Sequence, residues 1–289
     1  MKNSVKHQVI KSSAVTLVIF LLAISLSGFV TNLTSEDDKT ISEKKAPDNS
    51  QSQSTFLDTT FDPTALHATP LNSKVVPFVK RYIQSEGDKL EQMKIRGKKY
   101  FEIYDRILTS YGLPKELKYL SVIESELTSK AVSAAGAVGP WQIMADQAVS
   151  RGLKVNKGVD ERKSFKKSTV AAAKILKELY AEFNDWTLVI AAYNCGDGRV
   201  RQAIRKSGSK NFWYLQNFLP LETRCHVKRF IGTHFFFEGS GGLTTMTASE
   251  LKRYKLKLAA IHKKQLRDAE EKQYTQLKSI QYCPSNNLL

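Results

Sequence analysis

Apolar and polar positions alternate in long stretches that follow the period of a helix. Ala14–Val30 is a continuous apolar run. Residues 31–62 are then polar, rich in Ser, Asp and Lys, with almost nothing to bury. From about Val75 to Phe237 the spacing is helical throughout. Tyr100, Tyr104, Ile107, Leu108 and Tyr111 recur at intervals of three and four, the signature of one apolar helix face. Gly112–Leu113–Pro114 should break that helix, and Pro114 should open the next. Leu117, Leu120, Ile123 and Leu127 form its apolar row. Ser133–Gly139 reads as a loop of small residues. Ser168–Phe183 is another helix, with Ala172, Leu176, Leu179 and Phe183 on one face. Asp185 suits the cap of a further helix through Tyr193. Cys195–Gly198 reads as a turn, and Pro220 should open a helix to about Phe237. No run alternates like a strand, so a mostly α fold is expected. Gly239–Gly242 reads as a hinge, followed by a basic helical tail with a thin apolar face. No internal repeats are evident.

This organisation gives four expected segments. Residues 1–30 are a signal peptide or a membrane anchor, because Lys2, Lys6 and Lys11 precede the apolar run. Its seventeen residues sit at the short limit for a membrane helix, so both readings stay open. Residues 31–69 are a flexible tether, 70–238 a helical domain, and 239–289 the hinge and tail.

Charge changes the picture next. Lys and Arg total 44 and Asp and Glu 28, a net of +16. Residues 1–62 carry −1, so the remainder carries +17. A basic body suits a polyanion: nucleic acid, an anionic membrane or an acidic wall polymer. Export makes nucleic acid a poor partner. Residues 249–282 carry +5, fitting a helix that is solvated or lies on an anionic membrane surface, the solvated state being the simpler. Three cysteines cannot build a disulfide framework. The five histidines and three cysteines show no metal-ligand spacing, so no metal and no cofactor are expected.

One carboxylate stands out. Glu124 shares the row of Leu117, Leu120 and Leu127. Burial there would raise its pKa, whereas an ordinary exposed glutamate is the better reading from spacing alone. The wider pattern reverses that preference. VIESEL at 122–127, AVSAAGAVGPWQIM at 131–144, AAYNCGDGRV at 191–200 and LETR at 221–224 stand in order, with VDER and AAAKILKELY between them. Over about residues 70–238 this resembles the lysozyme-like lytic transglycosylase domain shared with goose-type lysozymes, and in particular the membrane-bound lytic murein transglycosylase D group.

The resemblance implies that Glu124 is the single catalytic acid/base. It implies substrate contacts for Ser125, Gln142, Tyr193 and Asn194. His226 falls where the family commonly has Tyr, so it is expected to line the pocket, and its charge is expected to set a limb of the rate profile near pH 6.5 if unperturbed. Trp141 is expected in the core; Asp160, Glu161 and Glu222 are candidates for a second carboxylate, each with the plainer reading of a cap or surface ion pair. Cys195 and Cys225 could pair or stay free. The implied substrate is peptidoglycan, cut between N-acetylmuramic acid and N-acetylglucosamine with formation of a 1,6-anhydro ring. A hydrolytic goose-type lysozyme and a noncatalytic wall-binding module are the alternatives.

Overall fold

The computed structural model describes residues 69–281. The export segment and nearly all of the tether lie outside them. Thr69, the last residue expected in the tether, is already buried and pairs with Gly241. Among the described residues the protein is helical, with isolated bridges and no strand.

Helix α1 spans Val76–Ser110, about 52 Å at 1.5 Å per residue. Pro77 sits in its first turn, where a missing N–H costs nothing. Leu90, Met93, Tyr104 and Leu108 on its inner face are buried. Gly112 turns the chain with φ 70°. Pro114 then precedes a 3₁₀ turn at Lys115–Lys118, not an α-helix, and α2 covers only Tyr119–Ser125. The expected single helix is therefore divided. Lys118, buried at the junction, ion-pairs with Asp105 of α1 at 2.9 Å.

A loop from 126 to 144 follows, then α3 at Ala145–Ser150. Helix α4 spans Phe165–Phe183, capped by Ser164, whose side chain accepts from the Lys167 amide. Asp185 caps α5, Trp186–Cys195, by accepting from the Thr187 and Leu188 amides. Residues 186–192 are all buried, so α5 is the central helix of the domain. The expected turn at 195–198 shrinks to Gly196, φ 86°, and α6 starts at once, Asp197–Ser207. A short α7, Phe212–Leu215, leads to α8, Leu221–Glu238, which Pro220 precedes. Helix α8 packs on α1, α2 and α5.

The glycine run at 239–242 is a packed corner. Thr244, Thr245 and Thr247 are buried, and the Gly241 amide donates to Thr69 O at 2.8 Å. Helix α9, Ala248–Gln281, is then anchored at its start. Thr247 and Glu250 form a reciprocal cap. Glu250 also accepts from Trp213 Nε1 at 3.1 Å, and Asp185 accepts from the Ala248 amide at 2.7 Å. From Ala259 to Lys278 every residue of the helix is exposed.

Candidate active site

Glu124 lies in the last turn of α2, and the way α2 ends fixes its direction. Glu126 and Leu127 both adopt left-handed backbone, φ 54° and 59°. Two such residues in succession cost conformational energy, a cost that persists where surrounding contacts over-determine the geometry. Those contacts are present. Leu127 is buried, the Arg96 guanidinium donates to Glu126 O, and Lys89 ion-pairs with the Glu126 carboxylate. Gly97 of α1 makes the close approach possible, because a Cβ there would stand 2.9 Å from Leu127 Cδ1.

The Glu124 side chain is only 15 % exposed. Burial pushes its pKa from 4.5 up to about 8; Arg229 pulls it down and Glu222 pushes it up, both by smaller amounts. At neutral pH the group is therefore mainly the protonated acid.

His226 of α8 faces it, with Nε2 3.4 Å from Glu124 Oε1 and a side chain 3 % exposed. Burial, assisted by Arg229, lowers its pKa to about 3. The expectation of a charge change near pH 6.5 is thus corrected: the imidazole has no water to stabilise its cation and stays neutral. The contact joins two neutral groups and is not an ion pair. Nε2 makes no well-formed hydrogen bond among the described residues.

The remaining resembling residues organise the loop beside Glu124. Ser125 Oγ donates to Pro140 O at 2.9 Å and to Ser121 O at 3.2 Å. Tyr193 Oη donates to Trp141 O at 2.7 Å. Gln142 has φ 46°, and its amide donates to Gly139 O at 2.9 Å and Ala131 O at 3.3 Å. Asn194 Oδ1 accepts from Thr223 Oγ1 at 2.7 Å, which ties α5 to α8. Trp141 is fully buried, as expected, and donates Nε1 to Thr169 Oγ1 at 2.9 Å.

Sequence reasoning missed two arginines. Arg162 is buried and donates to Gly136 O and Ile143 O at 3.0 and 3.1 Å, while Asp160 holds its other nitrogens at 2.8 and 2.9 Å. The loop is therefore clamped by side chains from α2, α5 and the 3₁₀ turn Glu161–Lys163. Arg229 lies three residues after His226, on the same face of α8, and only that spacing could have pointed to it. Asp160 and Glu161 are caps and ion-pair partners, their pKa values held down by hydrogen bonds. Glu222, on the exposed first turn of α8, acts on Glu124 through charge alone. Cys195 and Cys225 are free thiols. Among the described residues no His, Cys, Asp and Glu cluster could hold a metal.

A family model, the transglycosylase SLT domain, matches residues 105–216. Over this segment the chain is similar to that domain. The match takes in Glu124, Ser125, Gln142, Tyr193 and Asn194, and stops before His226 and Arg229. The chain is 32% identical over 167 residues to membrane-bound lytic murein transglycosylase D of Escherichia coli K12. That alignment covers 56% of this chain and 36% of the relative, so the chain spans about a third of that protein's length. Two solved structures are similar. The 70 kDa soluble lytic transglycosylase Slt70 of Escherichia coli is 25% identical, with 52% of this chain and 26% of that one covered and a TM-score of 0.45. A complex of the 70-kDa soluble lytic transglycosylase with bulgecin A is 22% identical, covering 60% and 32%, with a TM-score of 0.47.

Proposed function

We propose that this protein is a lytic transglycosylase that cleaves peptidoglycan at the β-1,4 bond between N-acetylmuramic acid and N-acetylglucosamine, with Glu124 as sole acid and base. The observation that carries the reading is a buried carboxyl with a pKa of about 8, facing a neutral imidazole, inside a segment similar to the SLT domain. Such a group is protonated when substrate arrives and can give its proton to the glycosidic oxygen. The C1–O bond then breaks, with assistance from the muramoyl N-acetyl oxygen. The carboxylate left on Glu124 takes the proton from the same sugar's 6-hydroxyl, and O6 bonds to C1, closing the anhydro ring. The acid is regenerated and no water is consumed. Neutral His226 can donate Nε2–H to the carboxylate during the interval in which it is charged. Ser125, Gln142, Tyr193 and Arg162 hold the 131–143 loop against Glu124, and Ser125, Gln142, Tyr193, Asn194 and His226 line the substrate path.

We place the protein in the cell envelope. The N-terminal 30 residues would export or anchor it, and residues 31–69 would tether the catalytic body. The relative's printed name is membrane-bound; no helix among the described residues is long and apolar enough to cross a membrane. The basic α9 would face an anionic surface.

Sacculus-clearing assays of Glu124→Gln and Glu126→Gln test the assignment. Glu124→Gln should lose about 10²–10⁴ in rate, the usual worth of a positioned acid/base. Glu126→Gln, whose carboxylate is exposed beside Lys89, should stay near the unmodified rate. A Glu124→Gln protein that clears sacculi normally overturns the proposal.

A further inference from the structure

Helix α8 turns one face toward α1 and α2, and Glu222, His226, Arg229 and Thr233 lie along it at intervals of four, three and four. His226 meets Glu124, and Thr233 meets Tyr82 Oη of α1 at 3.0 Å. Arg229 stands between these two contacts. Its charge acts on Glu124, His226 and Tyr82 alike. It also lines a half-enclosed cavity of about 280 Å³ between α1, α2 and α8. Phe78 and Tyr82, stacked at 6.1 Å, form an aromatic side of that cavity, and Leu90, Met93, Val122 and Ile123 an apolar one.

Arg229 has no ion pair and no hydrogen bond among the described residues, and its Nε is buried without a partner. A buried donor left unmade costs free energy that a ligand oxygen would recover. The other cation of the cavity is committed: Lys89 pairs with Glu126 and lies 4.0 Å from Glu86. Those two acids at the cavity disfavour a multiply charged anion such as a phosphate. A single carboxylate carried on an apolar or saccharide body fits both the fork of the guanidinium and the walls.

We propose that Arg229 and this cavity bind a carboxylate of the peptidoglycan strand whose glycosidic bond lies at Glu124. This rests on the function proposed above. Such a strand offers two carboxylate sources, the peptide stem and, where the stem has been removed, the lactyl group of the muramoyl sugar. The site holds the strand in register with Glu124, and Arg229 is a substrate-binding residue that takes no proton.

The test measures binding by titration calorimetry in the Glu124→Gln background, so that no turnover intervenes. Three probes are used: soluble glycan strands bearing peptide stems, the same strands stripped by an amidase, and chitin oligosaccharides, which lack carboxylates. Arg229→Met keeps the stem that packs along α8, and Arg229→Lys keeps the charge without the fork. Arg229→Met should weaken binding of carboxylate-bearing strands roughly ten- to hundredfold, the worth of a hydrogen bond to a charged group, and leave chitin oligosaccharide binding unchanged. Arg229→Lys should recover part of the loss. A loss confined to peptide-bearing strands assigns the stem, a loss confined to stripped strands assigns the lactyl carboxylate, and a loss on both means that the guanidinium takes either. Equal weakening for all three probes, or none for any, overturns the proposal. If the Glu124→Gln protein itself binds no strand, the proposed function fails and this site with it.

Discussion

Holding an acid protonated by burial has a thermodynamic signature that does not depend on catalysis. Glu124 titrates at about 8 in the folded protein against 4.5 as its ordinary value. Between those values the folded state binds the proton more tightly than the unfolded state. Stability therefore falls as pH rises from about 4.5 and levels off above about 8. At pH 7 the accumulated cost is about 3 kcal/mol, from 1.36 kcal/mol for each unit between pH 4.5 and 7 less a small remainder. Glu124→Gln replaces the acid by a neutral group of the same shape and removes that cost. The variant should therefore be more stable than the unmodified protein by about 3 kcal/mol at pH 7, and by only a few tenths at pH 4.5. For a body of this size that is a rise of about 6–12 °C in Tm at pH 7. Urea and thermal unfolding followed by circular dichroism, at both pH values, read it directly. Glu126→Gln controls for loss of a surface charge and should move stability by less than about 1 kcal/mol at either pH. A Glu124→Gln gain of the same size at both pH values, or no gain at pH 7, would refute the burial argument.

Two other outcomes follow from the same geometry. Sacculus cleavage should fall as pH rises through about 8, where Glu124 loses its proton, and should show no break near 6.5, because His226 titrates at about 3; His226→Tyr should keep the alkaline limb, and a limb near 6.5 that disappears in this variant would show a solvated imidazole instead. Gly139→Ala should destabilise the protein by about 3 kcal/mol or more by urea unfolding, since φ is 85° and a Cβ would stand 2.0 Å from Arg162 O; a neutral effect would mean the 131–143 loop is not clamped as described.

Local signals were legible where the physics is local. Asp185 before Trp186 and Pro220 before Leu221 placed two helix starts, because capping involves neighbours in the chain. Pro114 misled, since Leu117 and buried Lys118, which pairs with Asp105, settle the geometry of residues 115–118 through contacts with α1. The glycine run at 239–242 read as a hinge, yet Thr69 and the buried threonines after it make it a corner. The site divided the same way. Glu124 shares an apolar row, but its desolvation depends on His226 a hundred residues later in the chain, and no spacing within α2 reports that. The motif gave His226 its place near the pocket; only the enclosing walls gave it a neutral ring. Gln142 looked like a free amide for substrate, while its left-handed backbone turns the amide nitrogen into the loop. Arg229 carries no motif at all.

The central claim is that Glu124 works alone, without water, and the product decides it. Purified sacculi incubated with the protein, and the released muropeptides weighed by mass spectrometry, should yield fragments ending in 1,6-anhydro-N-acetylmuramic acid, 18 Da lighter than hydrolysis products by the loss of one water. The Glu124→Gln protein should release them about 10²–10⁴-fold more slowly. Reducing-end products carrying the full mass of water would contradict the account and indicate a hydrolase with a second carboxylate, for which Glu222 would be the first residue to test.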